Sequence, residues 1–141
     1  MMRTPAAMRI PGLRRDERGS MAVEFALVLP LFLVLLVAII ELATFFWTRN
    51  TLQFAVEEAS RLAYVNSAAA PSAVVAAVRG KLKAAALDDG RVSVTAALDP
   101  HGGVNIMKVT ASYAWPAAGI TGLSPVDFGP AVGQARVPML Q

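Results

Sequence analysis

The sequence predicts an α+β protein built from one long N-terminal helix, a second short helix and a small antiparallel sheet of about three strands. Three observations carry that expectation. An uncharged apolar run from Phe25 to Ile40, FALVLPLFLVLLVAII, opens a helical pattern that continues without a breaker to Asn66. A second helical stretch follows the break NSAAAPS, and after Gly90 the apolar period changes from helical to alternating. At 141 residues the chain holds one small module beside its apolar segment.

The order along the chain is a basic leader (1–19), a transmembrane helix (20–48), an amphipathic extension of that helix (49–65) and a small α+β domain (66–141). The formal charge is +3, and all of it lies in the leader, where Arg3, Arg9, Arg14, Arg15 and Arg18 outweigh Asp16 and Glu17. Basic charge massed before an apolar run reads as a cytoplasmic flank under the positive-inside rule, not as a nucleic-acid surface. The run from Ser20 to Trp47 would extend ~42 Å as a helix, enough for a ~30 Å hydrocarbon core and one interface. It exceeds the ~7–15 apolar residues of a cleaved secretory signal, and no small-residue cleavage site follows it. The expected topology is therefore a single pass through a membrane, N-terminus cytoplasmic and C-terminal domain extracytoplasmic. Phe45, Phe46 and Trp47 stand where an outer aromatic belt would lie, or else belong to a helix core.

Above the span, Leu52, Val56, Ala59 and Ala63 share a face with Ala55 and Leu62 beside them, while Gln53, Glu57 and Arg61 line the other side. Glu57 and Arg61 stand in the favoured i,i+4 order. Ser72 can cap the second helix, in which Val75, Val78, Leu82 and Ala85 oppose Arg79, Lys81 and Lys83, and Asp88-Asp89-Gly90 is expected to end it. Val92, Val94, Ala96 and Leu98 then alternate with polar or small residues. Asp99-Pro100-His101-Gly102-Gly103 is expected to turn the chain into a strand from Val104 to Trp115 with Val109, Ala111, Tyr113 and Trp115 as its apolar face. A Gly- and Pro-containing loop runs from Pro116 to about Gly129. An edge strand from Val132 to Met139 follows, where Pro138 is tolerable.

The chemistry concentrates at RRDERGSMAVEF, Arg14 to Phe25. Gly19 offers a peptidase a backbone with no Cβ in the way, in what reads as a short extended stretch ahead of the helix. The arginines hold that stretch on the anionic inner leaflet. Glu24 is a carboxylate at the start of a spanning helix, and two readings fit it. It caps the helix, where the dipole favours an acid, or it pairs with an amine. If the chain is cut after Gly19, Ser20 gains a free α-amine, a group that ordinarily titrates at ~7.7–8.0 and is largely cationic at neutral pH. That amine can then partner Glu24, as can the amine of a neighbouring subunit. A pair of that kind in low dielectric is favourable only at matched depth, so it can set the axial register of packed helices.

From Arg14 to Ala43 the sequence RRDERGSMAVEFALVLPLFLVLLVAIIELA resembles the N-terminal signature of TadE-like proteins, pseudopilins of Tad (Flp) pilus assembly systems. The likeness fades through LQFAVEEASRLAYV and is only architectural over the strands. It implies a pilin-like arrangement of helix and sheet, with cleavage by a prepilin peptidase between Gly19 and Ser20. It also implies that Glu24 is the pilin-type glutamate, Phe25 the aromatic that follows it and Pro30 the proline of the apolar run. The implied partners are that peptidase, other pilins or pseudopilins, the inner-membrane assembly platform and the lipid bilayer.

Glu41 lies ~26 Å of helix above Glu24, at the outer interface if Glu24 is at the inner one. There it either snorkels to water or touches another subunit's helix. No catalytic, cofactor or metal site is expected. His101, the single histidine, falls in the expected turn, Asp88 and Asp89 read as a helix-ending turn, and cysteine is absent. Two functions stay open: a processed pseudopilin that assembles laterally, and an unprocessed signal-anchored binding or adaptor module.

Overall fold

The computed structural model describes residues 17–66, 69–101, 104–124 and 126–139, so most of the expected leader lies outside the described residues. Helix α1 spans Glu17–Val65 and α2 spans Pro71–Ala84. A single 3-10 turn at Asp89–Arg91 leads into β1 (Val92–His101), followed by β2 (Val104–Tyr113) and β3 (Ala131–Pro138). The three strands form one antiparallel sheet in the order β1-β2-β3. This is the expected α+β architecture.

The chain divides into two units, Met1–Val34 and Leu35–Gln141. In the first, every residue from Gly19 to Val34 is exposed. Val, Ile and Phe are mediocre helix formers in water, but in hydrocarbon a helix satisfies every backbone group internally, and the apolar run adopts it.

The second unit is a two-layer packing of helices on one sheet face. Leu52, Ala55, Val56, Ala59 and Ala63 of α1 and Val74, Val78 and Leu82 of α2 join Val92, Val94, Met107, Val109, Ala111, Tyr113 and Ala131 in one buried cluster. Small residues let α1 come close to the sheet. A Cβ added at Gly133 of β3 would lie 2.7 Å from the Gln53 nitrogen and 2.8 Å from the Leu52 carbonyl carbon, so this glycine permits backbone-to-backbone approach. Leu62, grouped with this face in the sequence, is turned outward and 52% exposed. Glu57 is exposed as expected, but its carboxylate accepts from Gln53 Nε2 at 2.6 Å and makes no ion pair with Arg61 among the described residues. Glu58 pairs with Lys81 and ties α1 to α2.

The limits of α2 differ from expectation. Pro71 occupies the first turn behind Ala70, which makes no side-chain capping bond, so Ser72 is inside the helix and is not its cap. Proline's fixed φ already suits that position. At the other end the helix stops at Ala84 instead of Asp88-Asp89-Gly90, and Ala86 takes a left-handed φ of 57°. The amide of Ala86 donates to the Lys83 carbonyl at 3.0 Å and that of Leu87 to Leu82 at 3.2 Å, the paired bonds of a Schellman ending. Leu87 then packs on the core. Asp88 instead serves the 3-10 turn, where its Oδ1 accepts from the Gly90 amide at 3.0 Å.

The expected turn at Asp99–His101 is strand, since β1 runs through His101, which pairs with Val104. The register explains how Pro100 fits. Met139 N–H donates to Asn105 across the β2–β3 ladder, while Gln134 N–H and C=O turn away from β2. With period two, the even residues of β2 therefore bond to β1, and the even positions of β1 and β3 point outward. Pro100 and Pro138 both occupy outward positions, where a missing N–H costs no ladder bond. At Gln134 the outward groups are taken: Gln53 Oε1 accepts from its N–H at 3.0 Å and Gln53 Nε2 donates to its carbonyl at 3.1 Å. Helix α1 thus closes this part of the edge.

Candidate functional site

Gly19 and Ser20 lie within α1, not in an extended stretch ahead of it. Gly is a poor helix former, about 1 kcal/mol below Ala, so opening the helix at this residue costs less than at its neighbours. A Cβ added at Gly19 would meet nothing within 4 Å. The site is sterically open among the described residues.

Glu24 is exposed one turn above Ser20 on the same helical face, and with Met21, Phe25 and Val28 it lines a shallow depression. Phe25 is 65% exposed. Pro30 sits inside α1 and removes the N–H that would bond the Ala26 carbonyl. Met21, Glu24 and Val28 share one bare flank of an apolar helix, marked by a single acid, with Phe25 at its side and Pro30 on another face.

Glu41 behaves differently. It is 1% exposed, and both of its oxygens are used inside its own chain. Oε2 accepts from the Ile120 amide at 3.0 Å and Oε1 from the Thr121 amide at 2.6 Å. The acid therefore neither snorkels to water nor is free for another subunit's helix; it latches the loop between β2 and β3. Gly119 makes the latch possible. Its φ is 73°, and a Cβ there would come 2.6 Å from the Glu41 carboxyl carbon.

One helical turn further on, Phe45 stacks on Phe128 with centroids 5.0 Å apart and meets Trp115 edge-on at 5.3 Å. Thr48 is buried beyond it. Phe45 thus belongs to the core, while Phe46 and Trp47 are exposed at 47% and 53%. The sequence signalled neither the latch nor Phe128 as a partner. The only hint was an acid interrupting an apolar helix, together with a Gly-rich loop almost free of charge.

No group of three His, Asp or Glu residues able to hold a metal ion occurs among the described residues. The arrangement defines a class: an α+β domain on a helix long and apolar enough to cross a membrane, which fits a single-pass anchor. A protein-family model described as TadE-like protein matches residues 19–61, so this stretch is similar to that family, in agreement with the resemblance read from the sequence. The match takes in Glu24, Pro30, Glu41 and the buried face of α1 up to Ala59. No curated protein and no solved structure matches the chain.

Proposed function

We propose that the protein is a minor pseudopilin, a structural component of a Tad-type pilus or secretion system that supports adhesion, and not an enzyme. The observation that carries this reading is that the TadE-like match begins at Gly19 and covers an apolar helical flank whose side chains are all exposed from Gly19 to Leu36. In this reading the N-terminus is cytoplasmic, the domain lies outside the inner membrane, and a prepilin peptidase cuts between Gly19 and Ser20. The new Ser20 amine or that of a neighbour pairs with Glu24. Lateral packing with other pilins or pseudopilins, and with the membrane assembly platform, then uses the bare helix surface that carries Glu24, Phe25 and Pro30.

The test is the mass of the mature N-terminus in cells that carry the matching peptidase. The expected chain begins at Ser20, and Gly19→Val retains the leader because a β-branched side chain replaces a bare backbone. Native protein that keeps its leader would overturn the processed pseudopilin in favour of an unprocessed anchored adaptor. Protease added outside spheroplasts should degrade the C-terminal unit, and its full protection would reverse the orientation.

A further inference from the structure

The loop from Pro116 to Gly129 is unusual for a surface connection. Its sequence PAAGITGLSPVDFG carries one charged residue, Asp127. Ile120, Leu123 and Val126 are 54%, 72% and 51% exposed. Exposed apolar side chains gathered in one segment mark a surface that meets something other than water.

The position of the loop along α1 identifies what it meets. Gly133, at the start of β3, lies against Leu52 and Gln53. Phe128 and Trp115 lie against Phe45. Ile120 and Thr121 bond to Glu41. The three contacts descend the helix in order, over ~18 Å at ~1.5 Å per residue. The tip of the loop is therefore the part of the sheet-bearing layer nearest the apolar run. Beside it α1 exposes Ile39, Ile40, Leu42, Phe46 and Trp47. Among the described residues, the paired Asp88 and Arg91 line the same depression as Gly119 to Gly122, and Glu41 bonds the tip itself.

We infer that this loop is a second membrane contact: Ile120 and Leu123 enter the outer headgroup and acyl boundary beside α1, and Glu41 sets their depth. The inference rests on the reading of α1 as a membrane anchor. Continuity selects lipid as the occupant, because the apolar surface of the loop is fastened to the helix where the exposed apolar run ends. The latch suits that place. A carboxylate and two amides that would each be unsatisfied in a dehydrated interface satisfy one another, and the Thr121 hydroxyl accepts from the Leu123 amide. A loop anchored beside a spanning helix also limits tilting and rotation of the domain about that helix.

The chain has no cysteine, so single-cysteine variants of the full-length protein can each carry one environment-sensitive fluorophore. The protein is reconstituted in vesicles of phosphatidylethanolamine and phosphatidylglycerol, with labels at Leu123→Cys, at Leu36→Cys within the apolar run and at Asp99→Cys on the far end of β1. Lipids bearing nitroxides near the headgroup should quench the label at position 123 roughly twofold or more over the label at position 99, with a blue-shifted emission. Position 36 should be quenched most by nitroxides deep in the acyl chains. A label at 123 that is open to aqueous iodide like the label at 99, while 36 is quenched by lipid, overturns the loop contact and leaves the anchor standing. Failure at 36 overturns the anchor itself. A label at 123 shielded from lipid and iodide alike, with shielding that grows with protein density, assigns the loop to protein contact and also overturns the inference.

Discussion

Ala86 and Glu41 show how much depends on single positions. Ala86 closes α2 with a φ of 57°, a conformation that crowds Cβ against the following carbonyl. Ala86→Gly should therefore raise stability by about 1 kcal/mol, read as a higher urea midpoint with an unchanged slope. Glu41→Ala has the opposite sign. It leaves the Ile120 and Thr121 amides without their acceptor and should cost about 1–3 kcal/mol, with faster amide exchange confined to residues 116–129. Uniform exchange across the sheet would show that the latch supports the whole unit and not the loop alone. The two positions also differ in legibility. A helix end after Lys81 and Lys83 could be read from the chain, but its placement depended on Leu87 reaching the core, which drew the left-handed residue forward from Gly90 to Ala86. Glu41 and Thr121 are far apart in sequence, and no local pattern announces a contact between a helix and a loop.

At the scale of elements, periodicity was an adequate guide. The buried residues of α1 fall on the face read from 3.6-residue spacing, and Val109, Ala111, Tyr113 and Trp115 are buried as the alternation of β2 required. It failed at single residues. Leu62 looked like a member of the buried face, but it lies about 80° round the helix from Leu52 and is turned outward. Pro100 looked like a turn residue, but an outward edge position accommodates it within β1. The close approach of α1 to β3 gives a further test. In Gly133→Ala the new methyl group meets helix backbone, which cannot rotate aside, so the expected loss is about 3 kcal/mol or more, with α1 and β3 separating first in hydrogen exchange. Retained stability would mean that the helix backbone shifts freely against the strand.

For the whole molecule, the proposed function divides the work between the two units, folding in one and association in the other. The second unit holds the hydrophobic cluster and its hydrogen-bonded loop, whereas Glu24 belongs to the first, where it is exposed and outside the buried cluster. Glu24→Ala should therefore leave the urea midpoint within about 0.5 kcal/mol of the native value and preserve membrane insertion and the mature N-terminus, while crosslinks to partner pilins fall. Undiminished crosslinks would reduce Glu24 to a helix cap. The closed edge of the sheet bears on the same question from another side. Gln53 occupies the outward amide and carbonyl of Gln134, and Pro138 and Pro100 withhold a donor from the two outer edges. A strand from a second molecule finds broken rows of partners on either side, which is the way natural sheets resist growing into ribbons. On the proposed reading, copies that pack through their helices are thereby kept from joining sheet to sheet.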